Sequence, residues 1–179
     1  MTEIETLSTK IVYKNKWMTV REDRIRRASG AEGIFGVVEK PDFVAILPIQ
    51  DGVIHLVEQY RYPVAQRYWE IPMGSWESSS DADPATVAAG ELREETGLLA
   101  NKMEHVGHLY QAYGYSNQGY HVFLATGFDR TTQALDDEEE GLITKGVSIA
   151  EFESMIVSGV IVDGTTISAY HLARLKGFL

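Results

Sequence analysis

Three glutamates near the middle of the chain are spaced so that they could share one cation. Glu91, Glu94 and Glu95 stand at positions i, i+3 and i+4, which are neighbours on the surface of an α-helix. Carboxylates this close raise each other's pKa unless a positive charge lies between them. Because Mg²⁺ and Mn²⁺ prefer oxygen ligands, the spacing predicts a divalent cation here. A solvated acidic helix face is the alternative that has the same spacing.

The residues around these glutamates predict the helix that carries them. Asp83 can cap its N-terminus, Pro84 suits the first helical position, and Gly97 suits the left-handed position that ends many helices. Glu91 and Glu95 border a stripe of residues suited to packing on a sheet, so we expect both carboxylates at a cleft. The stripe consists of Ala85, Ala88, Ala89, Leu92 and Thr96.

The composition limits the functions that the chain could have. Its 179 residues, 44% hydrophobic and 23% charged, suffice for one globular, soluble domain with a small appendage. A net charge of −10 disfavours nucleic acid and anionic membranes as partners, since both require basic patches. The lack of cysteine excludes disulfides and thiolate chemistry and is compatible with a reducing cytoplasm. With no signal-peptide pattern and no membrane-length apolar run, we expect a cytoplasmic protein.

Strand and helix patterns alternate along the chain. Strands precede, separate and follow the predicted helices, so we expect an α/β sandwich with a mixed sheet rather than a doubly wound sheet. Apart from the glutamate helix, the predicted elements are strands within 9–40 and at 43–49, 53–57, 68–71, 103–110, 120–125 and 142–147, and helices at 148–159 and 165–176.

The glutamate helix is one part of a longer motif. It is preceded by Gln-Tyr-Arg at 59–61 and Glu-Ile-Pro-Met-Gly at 70–74, and it reads Gly-Glu-Leu-Arg-Glu-Glu-Thr-Gly-Leu at 90–98. In this order the chain resembles the Nudix hydrolases. The first two segments are similar to those of the ADP-ribose pyrophosphatase branch. The resemblance extends from about Trp17 to the last helix.

The resemblance implies both a fold and an assembly. We expect a Nudix-type α/β/α sandwich with a mixed sheet at residues 42–179, and a small N-terminal β-sheet region at residues 1–41. In similar ADP-ribose pyrophosphatases the N-terminal strands exchange between two subunits. We therefore expect this chain to form a homodimer through its N-terminal region.

The resemblance also assigns roles to the residues of the motif. Glu91 and Glu95 are expected to bind Mg²⁺ or Mn²⁺, together with the backbone carbonyl of Met73. Glu94 is expected to orient the catalytic site or to hold a further metal ion. A bound metal neutralises the oxygens of a diphosphate and lowers the pKa of a water, and a carboxylate must then accept the proton.

A second dense group of carboxylates, Asp-Asp-Glu-Glu-Glu at 136–140, could supply that base. Alone it is typical of an exposed loop. Similar pyrophosphatases place a Glu-x-Glu-x-apolar loop here, and Glu138 and Glu140, followed by Leu142, match it. We expect the catalytic base at Glu138 or Glu140 and an extra metal ligand at Glu140. Since three glutamates stand in a row, which of them acts as the base stays open.

Five residues are assigned to the substrate by the same resemblance. Arg61 matches an arginine that contacts phosphate or ribose, and a guanidinium fits phosphate oxygens well. Glu70 matches a glutamate that assists substrate or metal binding. Trp17 and Phe35 stand where similar enzymes sandwich the adenine, although ordinary packing explains them equally well. Tyr113 occupies a position where ADP-ribose enzymes usually carry proline.

Two positions depart from the family pattern within the motif itself. Gly90 replaces an arginine that normally pairs with a motif glutamate, and Arg93 points about 300° away from that position around the helix. Ala82 replaces the first motif glutamate, with Glu77 or Asp81 as stand-ins. The histidines show no metal-ligand spacing and are interpreted as structural: His55, His105, His108, His121 and His171.

Together these residues predict a metal-dependent hydrolase of a nucleoside diphosphate linked to another moiety. ADP-ribose or a nucleotide sugar is the expected substrate, and a nucleoside monophosphate and a sugar phosphate are the expected products. One alternative is a hydrolase of dinucleoside polyphosphates, which Tyr113 keeps open. Another is a non-catalytic sensor of a nucleotide ligand, which Gly90 and Ala82 favour and the retained glutamates disfavour.

Overall fold

The computed structural model describes residues 3–75 and 82–179. The chain forms two units, one made of residues up to Asp42 with Tyr110–Gly119, the other of Phe43–Leu109 and Tyr120–Leu179. Glu77 and Asp81, the stand-ins named above, lie outside the described residues. Within the described ranges, no helix combines the length and apolar character needed to cross a membrane.

The first unit is built on a three-stranded antiparallel sheet. Its strands, in spatial as well as chain order, are β1 (Ile4–Lys14), β2 (Thr19–Arg27) and β3 (Glu32–Glu39). The turn between β2 and β3 contains Gly30 at φ 87°, a conformation that favours glycine. The segment Tyr110–Gly119 joins β3 through a hydrogen bond from the Val38 N–H to the Tyr115 carbonyl, 2.8 Å long.

The second unit contains a seven-stranded mixed sheet. Its central order is β10-β5-β4-β9-β8, with β6 paired to β5 and β7 paired to β4. The β4–β9 pair is parallel, whereas β4–β5, β5–β6, β4–β7 and β5–β10 are antiparallel. The strands are β4 (Phe43–Gln50), β5 (Val53–Arg61), β6 (Gln66–Glu70), β7 (Met73–Gly74), β8 (Leu98–Tyr110), β9 (Gly119–Arg130) and β10 (Ile143–Ser148).

Strand β4 shows how the helices are arranged about this sheet. Its residues are buried on both faces and alternate between two hydrophobic clusters, as expected for a central strand. Ala45 and Leu47 belong to the cluster that contains Phe152 of α2 (Ile149–Val157) and residues of α3 (Gly164–Leu175). Val44 and Ile46 belong to the cluster of α1 (Pro84–Thr96). The predicted α/β/α sandwich with a mixed sheet is confirmed.

Helix α1 has the predicted ends. The Asp83 side chain accepts a hydrogen bond from the Thr86 N–H at 3.2 Å, and Pro84 is the first helical residue. Gly97 ends the helix at φ 68°, in the left-handed region. The predicted stripe was wrong at one residue, because Ala89 is exposed and Val87 is buried instead. The buried residues of α1 are Val87, Ala88, Glu91, Leu92 and Glu95.

Candidate active site

Three carboxylates from two separate segments meet beside α1. Glu91 and Glu95 lie on the buried side of the helix, with 7% and 1% of their surface exposed. Glu139 joins them from a short 3-10 helix at Asp137–Glu139. One carboxylate oxygen from each of the three lies within 4.8 Å of the others. The structure thus brings two of the predicted metal ligands together with a glutamate that the sequence interpretation had not chosen.

The conformation of the 136–140 segment decides which of its glutamates faces the helix. The Asp136 N–H donates to Glu139 Oε2 at 3.0 Å, and the Glu139 N–H donates to the Asp136 carbonyl at 2.9 Å. This turn leaves Glu139 half-buried, while Glu138 and Glu140 are exposed. The one sequence signal that could have singled out Glu139 is the Asp-x-x-Glu spacing of a capping box.

Glu91 and Glu95 are buried and Glu139 is half-buried, and the pKa of each of the three carboxyl groups is raised. Burial, reinforced by Glu94, Glu139 and Asp136, raises the pKa of Glu91 to about 7. Burial also raises the pKa of Glu95 well above its ordinary value, with Glu139 and Glu91 adding to the effect. The pKa of Glu139 is raised too, chiefly by burial. The cluster therefore retains protons near neutral pH unless a cation joins it.

One buried oxygen in this cluster accepts no hydrogen bond from the described part of the chain. Glu95 Oε2 is buried, and no hydrogen-bond donor reaches it from the residues that the structure describes. An unsatisfied buried oxygen is costly, so it indicates a ligand that the protein alone does not supply. The three carboxylates offer only oxygen donors, which suit Mg²⁺ or Mn²⁺. The residues present therefore fit the divalent metal that is typical of the motif.

The backbone of β7 closes one side of the cluster. A Cβ built on Gly74 would lie 2.5 Å from the Glu91 carboxyl carbon, so any other residue here would displace that carboxylate from its present position. Met73, the predicted backbone ligand, immediately precedes it, and both residues pair with β4. The first glycine of the motif thus has a physical reason, which is its close approach to the Glu91 carboxylate.

Arg61 and Glu70 form an ion pair across strands β5 and β6. Arg61 donates from Nε to Glu70 Oε2 at 3.2 Å and from Nη2 to Glu70 Oε1 at 2.5 Å, and Gln59 Nε2 donates to Oε1 at 2.9 Å. Burial raises the pKa of Glu70, against the attraction of Arg61. Glu70 is buried, whereas 40% of the Arg61 side chain is exposed. Glu70 thus orients a guanidinium that remains accessible.

Glu94 forms its hydrogen bond with a residue outside the buried cluster. It is half-buried and accepts a hydrogen bond from Arg93 Nη2 at 2.7 Å. Arg93 therefore supplies a positive charge to Glu94.

The aromatic residues predicted to bind substrate all belong to the first unit. Trp17 and Phe35 are 40% and 41% exposed, and Tyr113 is 85% exposed. The Lys16 ammonium lies 4.1 Å from the centre of the Trp17 ring. Their exposure shows that none of the three is a core residue of its own unit.

Three of the histidines cluster in the second unit, although their sequence spacing gave no such indication. His105 Nε2 and His121 Nδ1 are 3.2 Å apart, and the ring centres of His108 and His121 are 4.8 Å apart. The pairing of β8 with β9 brings them together.

Two domain families match consecutive segments of this chain. The nucleoside diphosphate sugar hydrolase N-terminal domain matches residues 4–38, and the NUDIX domain matches residues 40–158. The chain therefore belongs to the Nudix family. It is a Nudix hydrolase of the kind that resembles ADP-ribose pyrophosphatases.

The sequence similarity to known relatives covers almost the whole chain. An ADP-ribose pyrophosphatase of Mycobacterium tuberculosis is 33% identical over 168 residues, which are 93% of this chain and 81% of that protein. An ADP-ribose pyrophosphatase of Bacillus subtilis is 27% identical, covering 97% of this chain and 94% of that protein. A methanol dehydrogenase activator of Bacillus methanolicus is also 27% identical, with the same coverage.

A solved structure supports the fold. The crystal structure of an ADP compounds hydrolase superimposes with a TM-score of 0.87, covering 99% of this chain and 96% of that one. At 21% sequence identity, this likeness concerns the fold alone.

Proposed function

We propose that this protein hydrolyses the diphosphate of ADP-ribose or a nucleotide sugar, with Mg²⁺ or Mn²⁺, to a nucleoside monophosphate and a sugar phosphate. The observation that carries the proposal is the close approach of the Glu91, Glu95 and Glu139 carboxylates. One of their oxygens, Glu95 Oε2, is buried and accepts no hydrogen bond from the described residues. The names of the Mycobacterium and Bacillus subtilis relatives support ADP-ribose as the substrate. The match of residues 4–38 to a nucleoside diphosphate sugar hydrolase domain supports the wider substrate class.

Glu91 and Glu95 would hold the cation, with the Met73 carbonyl and Glu140 as further ligands predicted from the motif, and Glu139 would lie beside it. When bound, a divalent cation neutralises diphosphate oxygens and lowers the pKa of a water molecule. Because Gly74 has no Cβ, the Glu91 carboxylate can occupy its place in the cluster.

Glu139 is the carboxylate that we propose as the general base. Its Oε2 is held by the Asp136 N–H, so the carboxylate has a defined direction. Its burial raises its pKa, which makes it a better proton acceptor than an exposed glutamate. Glu138 and Glu140 remain the alternatives from the motif, and Glu94 remains a proposed orienting residue.

Arg61 would bind the substrate phosphate. Its guanidinium is oriented by Glu70 and partly exposed, and the planar fork matches phosphate oxygens. Glu70 would therefore act on the substrate through Arg61. Trp17, Phe35 and Tyr113 stay our proposed contacts for the nucleobase, since exposed aromatic rings can stack on a base.

We also propose a homodimer formed through the first unit. Its strands expose large apolar side chains, which are unfavourable in water and typical of interaction surfaces. These include Ile11, Tyr13 and Ile34, each more than half exposed. Light scattering of the purified protein should give twice the chain mass, and a monomer mass would contradict the proposal.

The test of the proposed function is metal-dependent turnover of a substrate panel. Purified protein with Mg²⁺ should release AMP and ribose 5-phosphate from ADP-ribose, and the panel should add other nucleotide sugars and dinucleoside polyphosphates. Glu95→Gln should lower kcat at least about 100-fold, because it removes a ligand charge. Glu151→Gln, at an exposed glutamate of α2, is the matched control and should leave kcat unchanged.

Two outcomes would contradict this proposal. Turnover of no panel member with Mg²⁺ or Mn²⁺ would reject hydrolysis and favour a nucleotide sensor. Undiminished turnover by Glu95→Gln would reject the role of Glu95 while leaving the reaction in place.

A further inference from the structure

We propose that Gln133 and Arg67 are positioning residues for the active site. They hold the acidic loop, defined here as residues 131–142, so that Glu139 faces Glu91 and Glu95. The inference rests on the proposed function, because it concerns how that site is assembled. It adds two residues whose side chains each donate to a backbone carbonyl, Gln133 of the loop to Glu95 of α1 and Arg67 of β6 to Gly141 of the loop.

The start of the acidic loop is hydrogen-bonded to the C-terminal end of α1. The last carbonyls of a helix have no partners within the helix, so donors from elsewhere must satisfy them. The Gln133 side-chain amide donates to the Glu95 carbonyl at 2.6 Å, and the Ala134 N–H donates to the Glu94 carbonyl at 3.0 Å. The loop is thus attached to the backbone of the residues that carry the site's carboxylates.

Gly97 makes this attachment sterically feasible. It adopts φ 68°, and a Cβ at this position would lie 2.5 Å from the Thr131 carbonyl oxygen. The Thr131 N–H in turn donates to the Gly97 carbonyl at 2.8 Å. The glycine that ends α1 therefore also lets the loop pass close to the helix end.

The other end of the acidic loop is held by Arg67 of β6. Arg67 Nη2 donates to the Gly141 carbonyl at 2.7 Å and also to the Glu58 carbonyl at 2.9 Å. Its Nε donates to Glu58 Oε2 at 3.0 Å, which fixes the guanidinium on the sheet. The next residue, Leu142, is buried, so the loop rejoins the core directly after this contact.

Between these two attachments the loop is shaped by hydrogen bonds within its own backbone and side chains. Those of the 3-10 turn, between Asp136 and Glu139 and from the Leu142 N–H to the Glu139 carbonyl, shape the loop. They do not fix its distance from α1. Glu139 and the α1 glutamates carry the same charge when ionised and would repel one another. The contacts of Gln133 and Arg67 therefore oppose a displacement of the loop that would move Glu139 away from Glu91 and Glu95.

The decisive measurement is the affinity for Mn²⁺, titrated calorimetrically into protein freed of metal with chelator. Gln133→Ala should weaken Mn²⁺ binding by about 10-fold, the lower end of the range for residues that orient metal ligands. Gln133→Glu should weaken it further, because a carboxylate cannot donate to the Glu95 carbonyl. In turnover, both variants should lower kcat while leaving KM for the nucleotide close to wild type.

Matched variants separate positioning from general damage. Thr132→Ala shortens the exposed neighbouring side chain and should leave Mn²⁺ affinity unchanged. Arg67→Ala should weaken Mn²⁺ binding through the other end of the loop. Glu58→Gln removes the ion pair of Arg67 but not its bond to Gly141, so it should have a smaller effect.

The outcomes distinguish this inference from the proposed function. Wild-type Mn²⁺ affinity in both Gln133→Ala and Arg67→Ala, with binding lost in Glu95→Gln, would overturn the inference and leave the function standing. A lower melting temperature of the metal-free variants with unchanged affinity would overturn it as well. Failure of the wild type to bind Mn²⁺ would overturn both. If Gln133→Ala does not fold, Arg67→Ala decides.

Discussion

Helix α1 and the acidic loop bring carboxylates to the same place by different means. Glu91 and Glu95 lie on a helix whose residues Val87, Ala88 and Leu92 are buried against the sheet. Burial of such side chains contributes roughly 1.5–3 kcal/mol for each large one. This packing holds the two carboxylates in place even though their burial is unfavourable to the charged form.

The acidic loop has no comparable apolar support around Glu139. Its 3-10 turn contains no buried residue, and its position depends on hydrogen bonds at its two ends. Each such bond contributes only about 0.5–1.5 kcal/mol. The helix carboxylates are therefore fixed before a cation binds, whereas the position of the loop carboxylate depends on a few polar contacts.

The largest effect is expected where the loop carboxylate does chemistry. Glu139→Gln should lower kcat roughly 10²–10⁴-fold, because an amide cannot accept the proton from water. Steady-state kinetics with ADP-ribose, at saturating Mg²⁺, would measure the change.

Glu138→Gln and Glu140→Gln are the controls for that measurement. They test whether the family motif or the geometry of the turn identifies the general base. We expect much smaller losses for both, since their side chains are exposed. A loss for Glu140→Gln that equals or exceeds that of Glu139→Gln would show that the motif, and not the turn, identifies the base.

The packing of α1 can be weakened without touching a carboxylate. Leu92→Ala removes a fully buried side chain and should lower the free energy of unfolding by about 2–5 kcal/mol. Leu99→Ala, at a leucine that is 41% exposed, should change it by less than about 1 kcal/mol. Urea denaturation in chelator would measure both. Equal stability of the two variants would contradict the view that packing holds the helix glutamates.

The buried carboxylates predict a pH dependence of the metal-free protein. The pKa of Glu91 is raised from 4.5 to about 7, so the folded state binds more protons than the unfolded state between these values. The contribution of Glu91 to stability should therefore be full below pH 4.5 and be lost as the pH rises to about 7. The loss is on the order of 1 kcal/mol per pH unit.

Thermal melting in chelator across this range would measure the trend, and added Mg²⁺ should stabilise the protein more at pH 8 than at pH 5. Glu95→Gln should flatten the dependence, because it removes a buried carboxyl group whose own pKa is raised well above its ordinary value. Stability of the metal-free wild type that rises from pH 4.5 to 7 would contradict the burial of like charges at this site.

Much of the candidate site was predictable because its features are local. The caps of α1 depend on residues within one turn of each end, and the burial of Glu91 and Glu95 follows from their place beside an apolar stripe. The sandwich and its mixed sheet followed from the order of strand and helix patterns. From the sequence Gly74 was only a position of the motif. Its close approach to Glu91 depends on the pairing of β7 with β4.

Other features could not be predicted because they join distant segments. Arg61 and Glu70 had been assigned to substrate separately, and the pairing of β5 with β6 makes one the support of the other. The histidine cluster likewise requires β8 to lie beside β9. Periodicity and spacing describe one segment at a time and contain no information about such neighbours.

The sequence by itself determined the family, the sandwich, and a capped helix that presents two buried glutamates. Tertiary structure alone decided which of three consecutive glutamates meets them. The Asp-x-x-Glu spacing favours Glu139 for the local turn, but nothing within the acidic stretch says which of Glu138, Glu139 and Glu140 faces α1. The carbonyls at the end of α1 and the guanidinium of Arg67, both distant in sequence, set the course of the loop, and Glu139 is the one that reaches the helix.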